Sequence, residues 1–154
     1  MERRKFVRNS SILSAGIVCG IAHPNVFSNY KDAIIGHNSH QYKIDLQWGA
    51  LNSNFYPVND CHEMVQDSKG RILLLTNHTK NNVIVYDRSG KLLEVWGTDY
   101  PGAHGLTLNA ENGEDVLYIA DNNRHEVIKT NIKGQVLQVF PYPKESGKYK
   151  TKES

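Results

Sequence analysis

The sequence predicts an all-β chain, and three observations carry that reading. Short runs rich in Val, Ile, Leu and Tyr show the two-residue alternation of half-buried strands. Turn signals built on Asp, Asn, Ser and Gly separate those runs. The pattern also repeats. His62 and His104 stand 42 residues apart, while Leu73 and Leu117, Val83 and Val127, Gly90 and Gly134, and Trp96 and Phe140 each stand 44 apart. A self-similar unit of about that length is the size of one blade of a β-propeller.

The elements follow in order. Tyr42, Ile44, Leu46 and Trp48 alternate with Lys43, Asp45 and Gln47, which predicts one strand over 42–49 ending in Trp48-Gly49. It resembles the end of the next unit and reads as the outer strand of a further blade. The first full unit, 62–97, divides into strands Glu63–Gln66, Ile72–Thr76, Val83–Asp87 and Lys91–Trp96. The second, 104–140, divides into Gly105–Leu108, Val116–Ala120, Val127–Thr130 and Gln135–Phe140. Ser68-Lys69-Gly70, Asn81-Asn82, Arg88-Ser89-Gly90 and Ile132-Lys133-Gly134 are the turns. The extra residues of the second unit fall in its first turn, where insertions cost little. Residues 23–41 read as a linker, and 141–154 as a polar tail or the truncated start of the next blade.

Composition narrows the function classes. With 154 residues, 39% hydrophobic and 22% charged, the chain suits about one globular domain. No apolar run reaches the 18 residues that mark a membrane-spanning helix. Residues 1–22 carry a formal +3, so the rest of the chain is about −1 and offers no basic surface to nucleic acid. Cys19 and Cys61 cannot build a disulfide framework or a four-ligand zinc site alone. No nucleophilic triad, phosphate loop or paired-carboxylate motif is present.

Most of the seven histidines read as solvated or turn residues: His23, His37 and His40 in the linker, His78 and His125 in turns. His62 and His104 differ. Each opens the innermost strand of its unit, so a propeller would bring both to the mouth of the central channel. Imidazoles converging there suit zinc or another borderline ion, or a channel lining bound to water. Two ligands do not complete a zinc site, so a third must come from a missing blade or a substrate. Cys61 points opposite to its neighbour His62 in a strand and reads as a small buried residue rather than a ligand.

The second unit carries a family resemblance. His104-Gly105-Leu106-Thr107-Leu108, Leu117-Tyr118-Ile119-Ala120-Asp121 and Arg124-His125-Glu126-Val127-Ile128 resemble the NHL-repeat family of six-bladed propellers. The resemblance covers residues 42–140 and implies a fragment of such a ring: about two four-stranded blades plus one outer strand. Missing blades, or another chain, would then be needed to close it. Ala103 to Leu108 is further similar to the peptidyl-α-hydroxyglycine α-amidating lyases of that family. That resemblance implies His104 as a zinc ligand and the Leu106 carbonyl as a calcium ligand, with Met64 in the matching place one blade earlier. The stretch Leu75-Thr76-Asn77-His78 lacks the Arg those enzymes use.

At the N-terminus, Arg3-Arg4-Lys5-Phe6-Val7-Arg8 followed by the mildly apolar Ser10 to Ala22 resembles a twin-arginine export signal. It implies a signal peptide over 1–22 and a bacterial periplasmic or extracellular destination.

Two functions remain open at this stage. The first is an exported scaffold that binds a peptide, protein or glycan. The alternative is a metal-dependent lyase resembling the amidating lyases, with channel histidines His62 and His104 binding zinc; its catalytic residues are not identified.

Overall fold

A computed structural model describes residues 34–148. The proposed signal over 1–22, His23 and the last residues of the tail lie outside them. The chain divides between Leu46 and Gln47 into two units. The first contains one antiparallel hairpin, β1 (Ile34–His37) and β2 (His40–Lys43), closed by Asn38 with φ 52°. This corrects two expectations. Residues 34–41, expected as linker, belong to a paired hairpin. The strand expected over 42–49 stops at Lys43, and residues 46–49 form a turn. His37 and His40 face each other across the hairpin end, both exposed.

The second unit holds two four-stranded antiparallel sheets, each a simple meander. The first is β3 (Glu63–Gln66), β4 (Ile72–Leu75), β5 (Val83–Tyr86) and β6 (Leu92–Trp96). The second is β7 (Ala103–Glu111), β8 (Glu114–Asp121), β9 (Glu126–Asn131) and β10 (Val136–Phe140). A 3-10 turn at Lys144–Ser146 follows.

The turns show why the chain reverses where it does. Asp67, Asp87 and Asn131 each accept the backbone N–H groups two and four residues on, at 2.7–3.1 Å. Three residues after each stands a glycine with φ between 79° and 85°, a conformation that only glycine adopts without strain.

Strand pairing aligns the two sheets row by row. Glu63, Leu75, Val83 and Trp96 form one row, and Gly105, Ala120, Val127 and Phe140 form its counterpart. Val65, Leu73, Val85 and Glu94 likewise match Thr107, Tyr118, Lys129 and Gln138. Met64, Leu74, Ile84 and Val95 match Leu106, Ile119, Ile128 and Val139. His62 and His104 thus keep equivalent places. Leu73 does not match Leu117: pairing puts Tyr118 in its position, because β8 is offset from β4 by one residue more than the sequence repeat implies.

Alternate rows face opposite sides of a sheet. Leu73, Leu75, Val83 and Val85 of the first sheet pack with Leu106, Leu117, Ile119 and Ile128 of the second, each at most 3% exposed. The forward face of one sheet therefore meets the backward face of the next. Tyr100 and Ala103, from the connection between the sheets, complete this core. Trp48 covers the other side of the first sheet. Its ring lies 5.2 Å from that of Tyr86, whose hydroxyl donates to the Gly49 carbonyl at 3.2 Å.

Candidate functional site

The lead-in to β3 is fixed from below by Thr76, which is fully buried. Its Oγ1 donates to the Asn59 carbonyl and accepts the Asn59 N–H at 2.9 Å. Asp60, at the strained φ of 36°, takes the Asn77 amide at 2.9 Å. Asp121 does the same work for β7. Buried to 2% exposure, it accepts the N–H groups of Gly102 at 3.2 Å and Arg124 at 2.8 Å. These anchors set the starts of two equivalent strands side by side.

Two histidines result at one place. The His62 and His104 rings stack with centroids 4.0 Å apart and planes 9° from parallel. A bulge helps: Ala103 pairs with Asp121 and Gly105 with Ala120, which leaves His104 as the extra residue, turned out of the ladder. Both histidines are exposed. A shared ion must lie in both ring planes, about 2.0–2.1 Å from each nitrogen. Rings stacked face to face have no such point between them, so joint ligation needs one ring to turn. Among the described residues no three His, Cys, Asp or Glu side chains gather as a metal site.

Glu63, beside His62, reaches across to β7 and accepts the Leu106 N–H. In a strand the N–H and C=O of one residue share an edge. The Leu106 carbonyl, the calcium candidate, therefore faces the edge where this carboxylate sits. Met64 occupies the equivalent row position but is 58% exposed, whereas Leu106 is 3% exposed. Sequence reasoning passed over Glu63, because a lone carboxylate beside a histidine carries no signal until pairing brings β7 to it.

Cys61 is exposed rather than buried. Cys61 lies before β3, which begins at Glu63, and follows Asp60 with its φ of 36°, so strand alternation does not govern it. Partial desolvation pushes its thiol pKa up, a hydrogen bond with Thr76 opposes this, and the Asp60 charge adds to the rise. His125 adopts φ 54° in the turn before β9, a turn role as expected, and the His78 ring accepts the Lys80 N–H at 3.1 Å.

An open cleft of about 530 Å³ lies on the far face of the second sheet, lined by Ala120, Val127, Phe140, Pro141, Pro143 and neighbouring polar residues. On the same face, Glu111 binds Lys129 and accepts the Tyr118 hydroxyl at 2.6 Å.

Comparison with curated proteins finds similarity to an acid ceramidase of Balaenoptera acutorostrata scammoni, 22% identical over 96 residues. The match covers 61% of this chain and 24% of that protein, so the chain spans about a quarter of its length. That likeness assigns neither family nor activity. No protein-family model and no solved structure matches.

Proposed function

We propose that this chain is a repeat-built binding module, an exported segment of an NHL-type propeller that presents its strand ends and sheet faces to a peptide, protein or glycan. The observation that carries the reading is the row-by-row equivalence of two sheets stacked in the same sense, forward face on backward face. Propeller blades follow one another in that way, and among the described residues the sheets present exposed faces and loops. Fold alone does not fix the ligand. Presenting the full chain to peptide and glycan arrays tests it. Saturable binding of one ligand class without turnover is the expected result, and failure to bind any class removes the reading.

A second reading keeps one specific observation in its favour. The His62 and His104 rings lie 4.0 Å apart and, once one ring turns, supply two of the donors that a zinc-dependent lyase would need. Calorimetric titration of zinc into the native chain and a His62→Ala, His104→Ala variant separates the readings. Stoichiometric binding that vanishes in the variant favours the metal reading, and equal weak binding by both discards it.

A further inference from the structure

We infer that the cleft on the far face of the second sheet binds an extended peptide segment carrying an aromatic residue. This rests on the binding-module reading and names its ligand class.

The internal repeat shows what such a seat accepts. Leu75, Thr76, Asn81, Asn82 and Val83 are the first sheet's counterparts of the cleft residues Ala120, Asp121, His125, Glu126 and Val127. All five counterparts are 0–1% exposed. The stretch Tyr100-Pro101-Gly102-Ala103 helps cover them, with Tyr100 5% exposed and Ala103 fully buried. Asn82 holds that stretch by its backbone. Its Oδ1 accepts the Tyr100 N–H at 3.1 Å, and its Nδ2 donates to the Tyr100 carbonyl at 2.9 Å.

On the second sheet the matching surface is open. Val127 and Ala120 are half-buried, His125 is exposed, and Phe140 stands 38% exposed where Trp96 is half-buried. Ala120 replaces Leu75, which deepens the seat by most of a side chain. Glu126 replaces Asn82, with Arg124 holding its carboxylate at 2.9 Å. That carboxylate can accept a peptide N–H as Asn82 does. Phe140, Pro141 and Pro143 form an apolar wall against which an aromatic side chain packs. A whole further sheet fits less well. Val65, Leu73 and Val85, which meet the neighbouring sheet, become Thr107, Tyr118 and Lys129 here. A narrow segment can fill the apolar end of this face and leave the polar row in water.

The chain supplies its own probe. A synthetic peptide with the sequence from Thr98 to Ala103 is titrated into isotope-labelled full-length protein and followed by NMR shifts. The expected result is saturable binding with shifts centred on Ala120, Val127 and Phe140. Phe140→Ala weakens it at least about tenfold, roughly 1.4 kcal/mol. Alanine in place of tyrosine in the peptide abolishes it. Phe140 is partly exposed, so its truncation leaves the fold intact; Glu126→Ala, which removes the acceptor, with binding reduced but unfolding little changed, is the second readout. Lack of saturable binding overturns the inference, as does binding indifferent to Phe140→Ala. If the peptide fails while an array ligand binds elsewhere, this inference falls and the broader reading stands. If neither binds, both fall.

Discussion

Single residues hold the tightest constraints. Gly134 has φ 84°, and a Cβ there would lie 2.5 Å from the Trp96 ring; Gly90, at φ 85°, stands in the same relation to Trp48, with 2.9 Å to its Cδ1. Gly134→Ala combines backbone strain with a clash, and we expect a loss of about 2–3 kcal/mol in urea unfolding. Asn82 is fully buried and also donates to the Thr76 carbonyl at 3.0 Å, besides its two bonds to Tyr100. Asn82→Ala strands these groups, and about 2–4 kcal/mol should disappear by the same measurement. Cys61 is exposed with its thiol pKa raised. In a Cys19→Ser background it should react with a disulfide reagent in the folded protein, more slowly than a free thiol at neutral pH and faster as pH rises. A thiol that stays unreactive until unfolding would contradict its placement. Glycine turns and the histidine pair were legible as residue types at a repeat spacing. The exposure of Cys61 was not, because it depends on the positive φ at Asp60 and on where β3 begins.

At the scale of elements, all eight strands of the two meanders were readable from alternation and Asx–Gly turns, with ends displaced by at most three residues. The first hairpin was not. Ile34 to Lys43 has no long alternation, and its pairing is set by the turn at Asn38-Ser39. The one-residue offset of β8 was equally hidden, since register is decided between strands and not within one. That offset places Tyr118 and Lys129 together on the far face with Glu111. Hydrogen bonds from Lys129 and then Tyr118 hold Glu111 below the usual carboxylate range, and the same Glu111 bond raises Lys129. For Glu111 the depressed pKa means a contribution present above its unfolded value and lost as pH falls through the folded one. For Lys129 the contribution is full below its unfolded value and lost as pH rises through the raised one. Melting temperature against pH should therefore fall at both extremes, and Glu111→Gln should flatten both limbs.

At the scale of the whole molecule, the sheets share one core, so damage to it is felt by both. Leu73 and Leu75 are fully buried between them, and Leu73→Ala should cost about 2–5 kcal/mol with β4 and β8 losing amide protection together. Separate loss in the two sheets would mean that they are independent units. The repeat in the sequence anticipated this stacking, because equivalent apolar rows at a fixed spacing bury only against one another. It did not anticipate the cleft, which arises where the second copy of the repeat departs from the first: alanine for leucine, glutamate for asparagine.

One tryptophan occupies the joint between the sheets. Trp48, in the turn before the first sheet, lies against the Gly90 turn, whereas Trp96, at the end of β6, lies against the Gly134 turn of the second sheet. The Trp96 indole thus spans the seam between the two sheets. Intrinsic fluorescence of the native protein reports their separation through this one residue. Replacing Trp48 with phenylalanine leaves Trp96 as a private gauge of the seam between the sheets, so a stopped-flow trace can time when the layers part against when their ladders melt.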